Sequence, residues 1–188
     1  MRNLTGHGDR LSLQWRSDRA LQNFPSMRMQ YSVHSPTPFI QAYADQLLPS
    51  WSRPIVSILV VLQQCSRAML QRTLLTERQK QQGREQFLQF GYQVALELEP
   101  LGHWVELFDP ATGWPLRSPP GSLHLDDVAV VKAALAYPTN VQGDCTLVIH
   151  PDWQSAVYPS VLVSTASVSL LETVATQVSD RCLLDLRH

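Results

Sequence analysis

The sequence predicts an α+β domain built on a mixed, largely antiparallel sheet with helices packed against it. Three observations lead to this fold class. The run from Pro54 to Gln63 is β-branched and nearly continuous, which is typical of a central strand buried on both faces. A helical apolar stripe follows over residues 76–101. Two strand-like segments, 145–149 and 156–163, then succeed each other without a helix between them, which indicates antiparallel pairing.

The first half of the chain alternates strand and helix. Apolar and polar side chains alternate from Met29 to Val33, as in a half-buried strand. Thr37 is a suitable cap for the helix that follows. The spacing of Thr76 and Gln79 predicts a capping box at the start of the longest helix. Gly91 falls on the apolar side of that helix, which predicts close packing against the sheet.

The second half completes the order β-α-β-α-β-α-β-β-α. A strand over His103–Phe108 leads into a turn at Asp109–Gly113, where proline and glycine occupy favoured turn positions. The Asp126–Asp127 pair opens the next helix, since acids are favourable at a helix N-terminus. Pro159 marks an edge or bulge position in the last strand. A final helix is predicted over 170–180.

Length and charge indicate one globular domain with a tail. The chain has 188 residues and a formal net charge of −1, which offers no electrostatic basis for binding nucleic acid or an anionic membrane. Residues 1–28 carry five arginines against two aspartates and no helical or strand periodicity, so we expect a disordered leader. The globular domain is predicted over 29–166, followed by a C-terminal helix or tail over 167–188. No stretch approaches the ~18 apolar residues of a membrane span.

The cysteines indicate a reducing compartment. Cys65, Cys145 and Cys182 are odd in number and widely spaced, which suggests neither a disulfide framework nor a zinc site. We therefore expect a cytoplasmic protein with no metal site of its own.

Familiar catalytic motifs are absent from the sequence, which has no GxGxxG, GxxxxGK[ST], HExxH or GxSxG. The Asp126–Asp127 pair could bind a metal, but helix capping accounts for it more simply. Cys145 and His150 could be a metal ligand or a nucleophile, yet five residues apart on one strand they face opposite sides. The simpler interpretation makes Cys145 a small core residue and His150 a strand-end residue bonded to backbone. Trp153 and Tyr158 are either core residues or interface anchors.

Two stretches of the sequence resemble one known family. The stretch from Gly102 to Gly113 reads GHWVELFDPATG and is similar to a Gly-x-Trp, short strand and Asp-Pro-x-x-Gly turn. The stretch from Gly143 to Ala166 is similar to a Gly-Cys-Cys, Val-Ile-x-His, Trp-Gly and Phe-Thr-Asn-Ala series, without a gap through most of its length. Both patterns resemble the methylmalonic aciduria and homocystinuria type D family, in the family's order and over residues 29–166.

This resemblance implies a role in cobalamin (vitamin B12) trafficking. Members of the family have no known catalytic activity, and their α+β domain is similar to nitroreductases and flavin reductases but binds no flavin. They act beside the type C protein, which removes the upper ligand of cobalamin, and help direct the cofactor to methionine synthase and methylmalonyl-CoA mutase. The resemblance thus implies an adaptor that binds no cofactor alone and meets cobalamin in complex with its partner.

The sequence departs from the family at the residues that matter most for cobalt. A family cysteine can ligate cobalt, and the first of the adjacent pair corresponds to Asp144, whose place Cys145 cannot simply take because neighbouring strand residues face opposite ways. The candidate cofactor-binding residues are therefore Asp144, Cys145 and His150. Gln154 replaces the glycine that follows the family's tryptophan. Trp153 and Tyr158 are the candidate partner-interface residues. Two alternatives stay open: a flavin-type reductase, and a non-catalytic module that forms a homodimer without any cobalamin role.

Overall fold

The computed structural model describes residues 27–70, 73–143 and 145–185, with side chains as far as Arg181. Six strands and five α-helices lie within these residues. In chain order they are β1 Met29–His34, α1 Pro38–Ala42, α2 Ala44–Leu47, β2 Ser57–Gln64, α3 Leu74–Leu98, β3 Val105–Leu107, α4 Asp127–Leu135, β4 Thr139–Gln142, β5 Cys145–Val148, β6 Val157–Ser164 and α5 Val168–Asp185, with a 3₁₀ turn at Glu99–Leu101.

The main sheet has the strand order β1-β2-β6-β3, and each pair of neighbours is antiparallel. Ser57 lies opposite Ser164 in the β2–β6 pair, and Leu107 lies opposite Leu162 in the β3–β6 pair. The predicted α+β class is confirmed, as is the central position of β2.

Helices cover both faces of this sheet, which explains the continuous apolar run of β2. Ile58, Val60 and Leu62 point into the core shared with α1, α2 and α4. Leu59 and Val61 point into the opposite core, which α3 and α5 complete. Because both faces of the strand are covered, every side chain of β2 except the last, Gln64, is buried, and alternation disappears from its sequence.

Helix α3 begins earlier than predicted. The capping box is formed by Thr73 and Thr76, each of which accepts a hydrogen bond from the other's backbone N–H, so the predicted box at Thr76 and Gln79 is wrong. Only Thr76, with Gln79 three residues later, matches the usual sequence pattern, but Thr73 has the extended backbone that a cap requires, and the Thr76 hydroxyl takes the place of the usual Glu or Gln side chain. The predicted close packing at Gly91 is confirmed, because a Cβ there would lie 2.6 Å from Leu107 Cδ2.

Strand β5 does not pair with β6 as its neighbour in sequence, which corrects the predicted pairing of these two strands. It forms a separate hairpin with β4, in which Gln142 lies opposite Cys145. The two-residue connection begins with Gly143 at φ +57°, a conformation that suits glycine in a tight hairpin. Strand β4 escaped prediction because its sequence, TNVQ, is polar and mostly exposed, so no apolar alternation reveals it.

The C-terminal helix α5 packs on the sheet. Leu171, Val174, Ala175 and Val178 are buried beside α3 and β1, so this helix completes the second core. Most of the predicted leader, residues 1–26, lies outside the described residues. None of the helices in the described residues is both long and apolar enough to cross a membrane.

Candidate functional site

A cavity of about 340 Å³ opens where strand β3 ends. Strand β6 has eight residues, but β3 pairs only with its last three, and one further bond joins Phe108 N–H to the Val161 carbonyl at 3.2 Å. Val161 and Pro159 are two residues apart, so their backbone polar groups point to the same side of β6. The backbone nitrogen of Pro159, which carries no hydrogen, therefore lies on the side of β6 that β3 no longer covers. The predicted edge position of Pro159 is confirmed.

Most of the wall of this cavity comes from four parts of the chain. They are the Asp109–Gly113 turn, the first turn of α4, the β5 strand and the first residues of β6, with Lys80 of α3 at the side. Much of the lining is apolar, and the polar side chains among it include Lys80, Asp127, Cys145 and Tyr158.

The Asp109–Gly113 turn is held by an ion pair. Arg84 donates two hydrogen bonds to the Asp109 carboxylate, at 2.7 and 3.0 Å, which keeps the pKa of that carboxyl below its ordinary value. Gly113 has φ +73°, and a Cβ there would collide with the Leu125 carbonyl oxygen. The Asp-Pro-x-x-Gly sequence thus forms the turn that its composition predicted. The structure adds that this turn lies tightly against the residues leading into α4.

Asp126 and Asp127 have different roles at the start of α4. Asp126 caps the helix, since its Oδ1 accepts hydrogen bonds from Val128 N–H at 2.9 Å and Ala129 N–H at 3.1 Å. The predicted cap is confirmed. No group of three acidic, histidine or cysteine side chains that could hold a metal lies within the described ranges.

Asp127 is a buried acid. It exposes 8% of its surface, and its Oδ1 has no hydrogen-bond partner among the described residues. Burial raises the pKa of this carboxyl well above its ordinary value, and the charges of Asp126 and Asp109 raise it further. Sequence reasoning missed Asp127 as a site residue, although a signal exists: Val130 and Val131 lie three and four positions later, which puts Asp127 on the apolar face of α4.

Tyr158 lies between α3 and the cavity. Its ring packs so closely on Gly83 that a Cβ there would lie 2.8 Å from Tyr158 Cδ1. Burial, followed by the nearby carboxylates of Asp127 and Asp109, raises the pKa of the phenol, so the hydroxyl stays protonated at neutral pH.

Cys145 lies on the rim of the cavity, at the first position of β5, and is exposed. Its interpretation as a small core residue is therefore wrong. The reason is the hairpin, whose turn end extends away from the main sheet, as the 68% exposure of Val141 shows. Asp144 lies outside the described residues.

His150 is buried beyond the other end of β5, with 1% of its surface exposed. The N–H groups of Asp152 and Trp153 both donate to Nδ1, each at 3.1 Å. Nδ1 must therefore be unprotonated, so in the neutral ring Nε2 carries the proton and donates it to Gln30 Oε1 at 3.1 Å. Burial lowers the pKa of His150, which favours this neutral form. The expected strand-end histidine bonded to backbone is confirmed.

The two predicted interface residues are both buried in this chain. Trp153 exposes 6% and Tyr158 exposes 8% of its surface. Trp153 stacks on the His150 ring with centroids 4.2 Å apart. The structure thus brings Cys145 and Tyr158 to one cavity, with Asp127, and places His150 and Trp153 together elsewhere. A role for Trp153 and Tyr158 in partner binding stays a prediction.

Neither models of known protein families nor curated proteins match this sequence.

Proposed function

We propose that the chain is a non-catalytic adaptor in cobalamin trafficking, which meets the cofactor while a partner protein holds it. The partner in this proposal is similar to the type C protein that removes the upper ligand of cobalamin. The destination is methionine synthase or methylmalonyl-CoA mutase. The sequence resemblance described above supports the identity of the cofactor and of these proteins.

One structural observation carries the proposal: the two family-like stretches meet in space. The stretch over 102–113 forms β3 and the turn after it. The stretch over 143–166 forms β5 and β6. Although about thirty residues separate them, both wall the same cavity, and Cys145 lies on its rim. Two stretches that resemble one family would meet at a shared cavity if that cavity serves the family's function.

Cys145 is the cobalt ligand in this proposal. Its thiol is exposed, whereas both ring nitrogens of His150 are already hydrogen-bonded inside the domain. A thiolate is also the softer ligand and suits cobalt better than the carboxylate oxygen that Asp144 offers. On ligation the thiol loses its proton to water, and a sulfur–cobalt bond replaces the bond to the ligand that leaves the metal.

A flavin-type reductase fits the cavity less well. Flavin nucleotides carry phosphate, which proteins usually hold with basic groups or backbone N–H groups. Asp126 lines this cavity and Asp109 adjoins it, while Arg84 is already paired with Asp109 and Lys80 with Glu77. The local charge therefore opposes a phosphate group.

The experiment mixes the purified chain with a type C-like partner loaded with cobalamin. We expect a complex in size-exclusion chromatography and a change in the cobalamin absorbance spectrum on mixing. Cys145→Ser should keep the complex and lose the spectral change. Cys65→Ala is the matched control, because Cys65 is buried and burial raises the pKa of its thiol to about 12. No complex with the wild-type chain would contradict the adaptor, and a homodimer alone would favour the dimerising module.

A further inference from the structure

The two edges of the main sheet differ in what covers them. The edge at β3 is covered by its own chain, because Leu116 N–H donates to the Leu107 carbonyl at 3.0 Å and Arg117 Nη1 donates to the Val105 carbonyl at 2.8 Å. The opposite edge is β1, a strand of six residues that pairs with β2. Among the described residues no other strand pairs with β1, so one side of its backbone faces outward.

The hydrogen bonds between β1 and β2 identify the outward groups. Gln64 N–H donates to the Arg28 carbonyl at 2.8 Å, so the backbone groups of Arg28 point towards β2. These directions alternate along an antiparallel strand, so the N–H and C=O groups of Met29, Tyr31 and Val33 point away from β2. None of these outward groups has a hydrogen-bond partner in the part of the chain that the structure describes. All three residues are only partly buried, so the row of donors and acceptors is accessible to another extended strand.

The sequence of β1 lacks the features that usually prevent strand addition. Edge strands of natural proteins are commonly protected by charged side chains, by proline or by a β-bulge. From Met29 to Val33 the strand contains neither a charged residue nor proline. Its register with β2 is continuous, which leaves no bulge to bend the edge away. The edge is therefore suited to pairing with a further strand.

The β1 strand of a second copy complements this edge. When a two-fold axis relates two antiparallel strands, the residue at the axis lies opposite itself. An axis at Tyr31 places Met29 of each copy opposite Val33 of the other, and each of these pairs exchanges two backbone hydrogen bonds. The three side chains lie on one face, beside the core of α3 and α5, so apolar and aromatic groups meet across the strands. His34 then lies opposite Arg28, and burial lowers the pKa of His34, which favours an uncharged ring there.

We propose that β1 is a self-association edge, at which a second copy of the chain adds its own β1 antiparallel about a two-fold axis at Tyr31. One continuous sheet then runs through both copies. The cavity with Cys145 on its rim lies beyond β6, on the opposite side of the sheet from this edge. The dimer therefore goes beyond the proposed function and does not depend on it.

The test first measures the mass of the full chain in solution. Light scattering after size-exclusion chromatography at about 100 µM should give twice the 21.2 kDa mass of the chain, with a dissociation constant in the micromolar range. A monomer at this concentration would overturn the proposal. It would do so even if deletion of residues 1–26 released a dimer, because those residues would then be the occupant of the edge.

Opposite charges at position 31 separate strand pairing from the contacts of Tyr31 within its own chain. Tyr31→Lys and Tyr31→Glu each place like charges opposite each other at the axis, and both lose the ring contact with Phe90 and the hydrogen bond to Thr176. Each variant alone should dimerise at least about tenfold more weakly than wild type. An equimolar mixture should form a heterodimer at least about tenfold tighter than either homodimer, which a merely structural role of Tyr31 does not produce.

Val141→Lys is the control, because Val141 is exposed on the β4–β5 hairpin, and it should leave the dimer unchanged. Melting temperatures check that each variant is folded. A dimer that persists in Tyr31→Lys and Tyr31→Glu would lie at another surface. Failure of the mixture to restore the dimer would contradict a two-fold axis at Tyr31. Either result rejects the proposal.

The result can be told apart from that of the cobalamin experiment. A dimer that follows the charges at position 31, without any complex between the chain and the cobalamin-loaded partner, would support the β1 edge and contradict the adaptor. A complex and a spectral change with a chain that is monomeric alone would support the adaptor and overturn the dimer.

Discussion

The two ends of strand β5 differ in the exposure of their side chains and in the number of hydrogen bonds that these side chains make. At one end Cys145 is exposed beside a hairpin turn and lies on a cavity rim. Just past the other end His150 is buried, stacked on Trp153 and hydrogen-bonded through both ring nitrogens. Cys145 is therefore accessible to reagents and partners in solution, whereas His150 contributes to the stability of the fold. Strand alternation predicts opposite faces for the two residues but not which face is buried.

The largest expected effect comes from removing the His150 ring. His150→Ala should lower the free energy of unfolding by about 3–4 kcal/mol, because it leaves a cavity and deprives the Asp152 and Trp153 N–H groups of their acceptor. Urea unfolding measures the change. The matched control at the exposed end, Cys145→Ala, should cost less than about 0.5 kcal/mol. Similar losses in both variants would mean that the two ends are not structurally distinct.

Thiol reactivity should separate Cys145 from Cys65. Burial raises the pKa of Cys65 to about 12, so at pH 8 only about one molecule in ten thousand carries its thiolate. In a Cys182→Ser background, iodoacetamide should modify exposed Cys145 at least about a hundredfold faster than Cys65. Peptide mass spectrometry over time gives both rates from one sample. Comparable rates would contradict the exposure of Cys145 and remove the structural support for its ligation of cobalt.

Within β5 itself, burial should decide the cost of truncation. Val148 exposes 3% of its surface and packs into the core with α4, while Thr146 is exposed. We expect Val148→Ala to lower the free energy of unfolding by about 2 kcal/mol and Thr146→Ala by less than about 0.5 kcal/mol. Urea unfolding of the two variants checks this gradient. Equal costs would show that the hairpin packs along its whole length.

The main sheet was predictable because its strands carry strong signals. The apolar run of β2 and the turn residues between β3 and α4 depend on local chemistry, which the sequence displays directly. Strand β4 is polar, exposed and stabilised by pairing with β5, so its existence depends on a contact that no local pattern encodes. The same missing contact led to the wrong partner for β5 and to the wrong environment for Cys145.

The candidate site was predictable in part. Cys145 and Tyr158 were singled out from the sequence, but their meeting in one cavity depends on the early end of β3, which sets how much of β6 is uncovered. Asp127 could have been found from its spacing to Val130 and Val131. Helix capping accounts for both aspartates in the sequence, so the sequence alone does not show that Asp126 caps α4 while Asp127 is buried.

The last comparison is between two buried polar groups: both ring nitrogens of His150 are hydrogen-bonded, whereas Oδ1 of Asp127 has no partner among the described residues. The raised pKa of Asp127 means that the folded state holds this proton more tightly than the unfolded state. The resulting stabilisation is complete below the ordinary carboxyl pKa near 4 and is lost as the pH rises through the folded pKa. Asp127→Asn removes the titration and leaves His150 unchanged in both proteins.

The free energy of unfolding of the wild-type chain should therefore fall relative to that of Asp127→Asn as the pH rises above about 4, by at most ~1.4 kcal/mol per pH unit. Urea unfolding of both proteins at several pH values between about 4 and 7 measures the difference. Asp126→Asn should run parallel to wild type, because the hydrogen bonds of its cap survive the change. If the wild type instead gains stability relative to Asp127→Asn as the pH rises, Asp127 is ionised and paired in the folded chain, which would contradict its unpaired Oδ1.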